Sequence, residues 1–161
     1  MKKQNSETLK YALMLITKKD RTEAELRNRL HRKGFSDTEI DEVVKYLKQN
    51  GFIDDTKFIQ KAEKLAEDRF LGTMGLKNYL VRKGIDKELI ESIPQIDELA
   101  IAKKLIQRKL HLIKNNSFNK KKAKIAGYLL RRGFSWETVN KCINDSLGDI
   151  ESPEDKIFRE D

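Results

Sequence analysis

Leu26-Arg27-Asn28-Arg29-Leu30-His31-Arg32-Lys33-Gly34-Phe35-Ser36 decides the fold, because the same pattern returns twice. Leu76-Lys77-Asn78-Tyr79-Leu80-Val81-Arg82-Lys83-Gly84-Ile85-Asp86 carries it 50 residues later. Ile125-Ala126-Gly127-Tyr128-Leu129-Leu130-Arg131-Arg132-Gly133-Phe134-Ser135 carries it after a further 49. In each copy an apolar pair at i, i+4 marks one helix face. Two cations follow in the last turn, where they oppose the negative end of the helix dipole. Glycine then supplies the left-handed residue that ends the helix, and the next apolar residue folds back in a Schellman closure. Ser36, Asp86 or Ser135 is placed to cap a new helix. Thr22 with Glu25, and Ser36 with Glu39, have the spacing of capping boxes.

Working outward, each copy is preceded by a longer amphipathic stretch. The core faces read Leu9, Ala12, Leu13 and Ile16; Phe58, Ala62, Leu65 and Ala66; and Leu99, Ala102, Leu105, Ile106 and Ile113. Ile40, Ile90 and Val139 recur six residues after the glycines. A period of this length is the mark of a tandem helical array. The expected helices are 6–18, 23–33, 37–49, 55–70, 73–83, 87–93, 97–115, 119–132 and 136–147. Asn50-Gly51-Phe52 closes the first group and Pro94 the second. The fold expected is all-α: three three-helix repeats of helix-turn-helix character at 1–52, 53–95 and 96–147, stacked end to end as an elongated or curved array. Residues 148–161 are expected to be an acidic, mobile tail. Only two prolines and eight glycines occur in the 161 residues, too few for many strands and tight turns.

The formal charge of +8 is unevenly distributed. Residues 96–147 carry 12 basic and 4 acidic side chains, whereas 148–161 carry 2 and 6. An anionic partner, nucleic acid or an acidic protein surface, is the expected consequence. No apolar run is long enough to span a membrane. The basic N-terminus lacks a signal-type apolar segment, and the single Cys142 cannot form an internal disulfide. A cytoplasmic protein is expected. His31 and His111 lie in different repeats without acidic companions at ligand spacing, and Gly72-Thr73-Met74-Gly75 lacks the phosphate-loop pattern. No catalytic residue, metal or cofactor is therefore expected, and Thr73 is read as an N-cap.

The candidate binding residues are basic. Arg32-Lys33, Arg82-Lys83 and Arg131-Arg132 serve either the helix ends or a partner. Lys120, Lys121, Lys122 and Lys124 are different, because they lie near a helix start, where the dipole disfavours cations. Lys120, Lys124, Gly127 and Arg131 share one face. Gly127 either admits a partner's backbone or makes room for a neighbouring helix. Lys103, Lys104, Arg108, Lys109 and Lys114 add to this surface from the preceding helix. A helix-turn-helix invites comparison with operator-binding proteins. Yet the would-be reading helices begin Asp37-Thr38-Glu39 and Asp86-Lys87-Glu88, which would set acids against phosphates.

These motifs, in their order and spacing, resemble the RecX family over residues 8–147. The carrying stretches are Ala12-Leu13, Arg21-Thr22-Glu23-Ala24-Glu25-Leu26, Leu30-His31-Arg32-Lys33-Gly34 and Gly51-Phe52-Ile53-Asp54-Asp55. Arg69 before Gly72, Leu80-Val81-Arg82-Lys83-Gly84-Ile85 and Leu129-Leu130-Arg131-Arg132-Gly133-Phe134 complete the match. Where family members often carry a glycine–arginine pair, this chain has Gly75-Leu76-Lys77. The resemblance implies a regulator that lies in the groove of the RecA–DNA filament. It implies restraint of filament growth, ATP hydrolysis, strand exchange and coprotease activity in DNA repair and the SOS response. A monomer with at most weak, sequence-tolerant contact to single- or double-stranded DNA is expected. The alternative is a nucleic-acid-binding helical module that works without RecA.

Overall fold

In the computed structural model, residues 3–110 and 118–147 are described. They form ten helices and no strand: α1 (Lys3–Lys18), α2 (Glu23–Lys33), α3 (Asp37–Gln49), α4 (Thr56–Gln60), α5 (Ala62–Arg69), α6 (Thr73–Arg82), α7 (Lys87–Glu91), α8 (Glu98–Leu110), α9 (Phe118–Arg131) and α10 (Trp136–Leu147). His111, Ile113, Lys114 and the acidic segment 148–161 lie outside the described residues.

The repeated turn folds as its sequence requires. Gly34, Gly84 and Gly133 have φ of 96°, 73° and 78°. At each, the glycine amide donates three residues back, and the following amide donates five back: Phe35 to Leu30, Ile85 to Leu80 and Phe134 to Leu129. That is the Schellman bond pair, and L-residues other than glycine rarely adopt the φ it needs. Gly51 ends α3 in the same way, with Phe52 donating to the Leu47 carbonyl. Both capping boxes are present, Thr22 with Glu25 and Ser36 with Glu39.

The chain divides into two compact units. One contains the residues up to 61 together with 79–93, the other 62–78 and those from 94 onward. The helices expected to form a middle repeat at 53–95 are thus shared between the two. In the first unit α1, α2 and α3 pack pairwise around Ala12, Leu15, Leu26, Leu30, Ile40, Val43, Val44 and Leu47. In the second, α10 packs on both α8 and α9. Ile101, Ala102, Leu105, Ile106, Ile125, Leu129, Val139 and Cys142 are buried there. Burying each large aliphatic side chain contributes about 1.5–3 kcal/mol. The positions six after each glycine, Ile40, Ile90 and Val139, are all buried.

The long helix expected at 55–70 is interrupted. Lys61 ends α4 with φ of −95° and ψ of 10°, and α5 restarts at Ala62. The expected helix at 87–93 stops at Glu91. Phe70 closes α5 with φ of 50°, taking the slot that glycine fills elsewhere, while the Leu71 amide donates to Ala66.

Each unit contains one joint of the same design. In the first, the Thr22 hydroxyl donates to the Lys83 carbonyl at 2.6 Å, and Glu25 pairs with the Lys83 ammonium. A methyl group at Gly84 would overlap the Ala24 side chain. In the second, the Gly72 and Met74 amides donate to the Arg132 and Gly133 carbonyls at 3.1 and 3.2 Å. There Gly75 lies directly against the Arg132 carbonyl. The stretch Gly72–Gly75 is therefore a packing device as well as the approach to a helix. Thr73 is the first residue of α6 instead of its cap, and its amide is capped by the Glu98 carboxylate.

Candidate functional site

The three basic pairs divide by role, which their sequence does not show. The second member of each is held over an aromatic ring: Lys33 over Tyr11 at 5.7 Å, Lys83 over Tyr79 at 5.6 Å and Arg132 over Tyr128 at 5.4 Å. Cation–π contacts of this kind contribute about 0.5–1 kcal/mol at exposed sites. Arg132 also donates to the Arg69 carbonyl at 2.8 Å and to the Tyr128 hydroxyl at 3.2 Å. Lys83 is further committed to Glu25. The first members, Arg32, Arg82 and Arg131, are exposed.

The α8 cations divide similarly. Lys103 bonds Asp145 of α10 at 2.8 Å, which raises the lysine's pKa and lowers that of the carboxylate. Lys104 lies 3.3 Å from Glu67, and the Arg108 guanidinium stacks on Phe70 at 4.8 Å. Lys109 sits over Tyr128 at 5.6 Å.

On α9 the lysine cluster occupies the first two turns, and no acid balances it in the first turn. Lys120 and Lys124 are exposed, and Lys121 and Lys122 half-buried. Lys124, Gly127 and Arg131 line one cavity of about 550 Å³, together with Lys109, Tyr128 and the apolar Ile106. Of the face expected from the α9 sequence, Lys124, Gly127 and Arg131 form one wall of an open, basic groove, and Lys120 does not line it. A methyl group at Gly127 would come near only Arg131 Nη1, at 3.3 Å. Among the described residues no neighbouring helix fills the space above Gly127. Such a groove suits an anionic surface, since cations at its rim steer encounter with opposite charge.

Two features were hidden from the sequence. Glu98 accepts from the Thr73 amide, the Ser135 amide and hydroxyl, and the Thr138 hydroxyl, so one carboxylate caps the starts of both α6 and α10. Burial acts to raise its pKa, but the donors from Thr73 and Ser135 outweigh burial and leave it lowered. Trp136, at the start of α10, is 61% exposed. A tryptophan so exposed on the second helix of a helix-turn-helix suits a binding surface.

The acids that argued against groove reading by α3 are used internally. Glu39 caps its own helix start, and Asp41 pairs with Arg27. His31 stands 3.3 Å from Asp37. Among the described residues no cluster of His, Cys, Asp and Glu is suited to holding a metal. None of their helices is long and apolar enough to cross a membrane. Cys142 is buried, with its pKa raised by burial.

Residues 9–47 match the description "RecX, first three-helix domain", and residues 96–143 match "RecX, third three-helix domain". The regulatory protein RecX of Yersinia enterocolitica is 30% identical over 164 residues, covering 87% of this chain and 98% of that one. The chain belongs to the RecX family. The RecX of Clostridium beijerinckii is 34% identical over 141 residues, and the match spans 82% of this chain and 64% of that longer protein. The fold is shared with the crystal structure of RecX from Lactobacillus salivarius. The TM-score is 0.72 at 20% identity, covering 90% of this chain and 97% of the other. RecX proteins carry the name of regulators, and the basic α8–α9 groove falls within the third RecX domain.

Proposed function

We propose that this RecX-family chain binds the RecA–DNA filament and restrains its assembly, ATPase, recombinase and coprotease activities. Three repeats, 1–52, 53–95 and 96–147, form the binding array, acting as a cytoplasmic monomer in DNA repair and the SOS response. The observation that supports this most is the groove of Lys109, Lys124, Gly127 and Arg131 in a domain of RecX type. The exposed Arg32 and Arg82, with Lys120, Lys121 and Lys122, extend the set of cations proposed to meet an acidic filament lobe or DNA phosphates. Lys33, Lys83, Lys103, Lys104, Arg108 and Arg132 hold the helices that carry these groups. Contact with DNA is sequence-tolerant, because lysine and arginine meet phosphates without reading base edges.

The test is RecA ATPase on single-stranded DNA, with and without the protein, over a salt series. Changing Lys120, Lys121, Lys122 and Lys124 to Gln leaves the unfolding midpoint unchanged or higher, since the α9 dipole opposes these charges. Inhibition is expected to weaken through slower association. Unchanged inhibition at low salt by the folded variant would remove the cluster from the interface. Binding to DNA with no effect on RecA would favour the alternative of an independent nucleic-acid-binding module.

A further inference from the structure

The two internal joints have a third counterpart that no described residue fills. By the repeat period, Thr22 corresponds to Gly72 and Lys83 to Arg132. In both joints the first of these positions donates a hydrogen bond to the carbonyl of the second. Both joints therefore share one register: the first turn of a middle helix seats on the glycine turn that ends the middle helix of the next repeat. A side chain on Gly84 or Gly133 would collide with the incoming helix.

Arg32-Lys33-Gly34-Phe35 is the same turn in the first repeat, with the same bond pair and the same left-handed glycine. Yet, among the described residues, nothing lies within 4 Å of a methyl group placed on Gly34, and Arg32, Lys33 and Gly34 are exposed. Lys33 stands where Lys83 stands, and Lys83 receives Glu25 of the seated helix.

We propose that the Gly34 turn is a docking surface for the first turn of a helix on a partner protein, one in which a small residue is followed by an acid, as in Ala24-Glu25. The small residue seats against Gly34 and the acid pairs with Lys33. A second copy of this chain is the wrong occupant. The third-repeat residues that align with Thr22-Glu23-Ala24-Glu25 are Lys121-Lys122-Ala123-Lys124, and they lie inside α9, which begins at Phe118, so they offer no free helix start. The alanine is kept, but cations replace both acids and would face Arg32 and Lys33. The inference does not depend on which protein the basic α9 groove meets.

The probe is a helix-stapled peptide of residues 20–30, which carries the helix start Thr22-Glu23-Ala24-Glu25. Mixed with the full-length chain at low salt and followed by fluorescence anisotropy, it is expected to bind one to one. Binding should weaken at least tenfold when the wild-type chain is replaced by its Gly34→Asn or Lys33→Glu variant; Asn fills the turn while tolerating a left-handed backbone. No binding of the peptide, or binding indifferent to Gly34→Asn, overturns the proposal. So does self-association of the wild-type chain that Gly34→Asn abolishes.

Discussion

Two helical glycines should respond to the same substitution with opposite sign. Gly75 and Gly127 both lie inside helices, α6 and α9. Alanine in a helix interior gains roughly 0.5–1 kcal/mol over glycine, whatever surrounds it. At Gly127 the new methyl meets only the tip of the Arg131 side chain at 3.3 Å, which can swing aside. Gly127→Ala is therefore expected to stabilise by about 0.5–1 kcal/mol. At Gly75 the methyl would fall 2.9 Å from the carbonyl carbon of Arg132, and closer still to its oxygen. Both are backbone atoms, and the turn that holds them is fixed by the φ of Gly133 and by the bonds from Gly72 and Met74. Overpacking of this kind costs about 1–3 kcal/mol, and separating the joint adds the loss of those bonds at about 1 kcal/mol each. Gly75→Ala is expected to be destabilised by about 2–4.5 kcal/mol after the helix gain is subtracted. Thermal unfolding followed by circular dichroism reads both, at about 2–4 °C per kcal/mol for a chain of this size. A midpoint for Gly75→Ala at or above wild type would refute the joint. A fall for Gly127→Ala would show that something rigid covers that groove.

Glu98→Gln should cost about 1–3 kcal/mol, because charge-assisted capping of two helix starts is lost. The folded-state pKa of Glu98 is lowered, so its contribution is present above the unfolded value near 4.5 and fades as pH falls through the folded value. Urea titrations at pH 7 and pH 3 should therefore show the gap between wild type and Glu98→Gln closing in acid. Lys83→Ala should lower the unfolding midpoint by several degrees, while Arg82→Ala leaves it within a degree or so, although both lie in the same helix-end pair. Equal effects would mean that the Lys83–Glu25 pair contributes nothing. Cys142 should resist a thiol reagent at pH 8 until the protein unfolds, since burial raises its pKa and excludes the reagent. Rapid labelling of native protein would place it at the surface.

Local structure was legible wherever neighbouring residues decide it. The glycine turns, both capping boxes, and the burial of Ile40, Ile90 and Val139 depend on contacts within one helix and its successor, so periodicity and residue type suffice. The lysine face of α9 was legible for the same reason, being a helical wheel. Legibility failed where the deciding partner is distant in sequence. Glu98 caps residues 25 and 37 positions away, and no local pattern announces it. Gly72 and Gly75 carry no local sign of their packing role, because it lies in the Arg132–Gly133 turn against which they pack. The members of each basic pair looked alike until a ring claimed the second: Tyr79 and Tyr128 lie on the same helix one turn away, but Tyr11 is on another helix altogether. By itself the sequence determined an all-α chain with one turn repeated three times, since a Schellman closure needs little beyond glycine and its apolar neighbour. Only the tertiary structure decided that two of those turns are filled by a helix start while no described residue fills the Gly34 turn. Occupancy is a matter of steric fit between segments tens of residues apart, and that is settled only when the chain has folded.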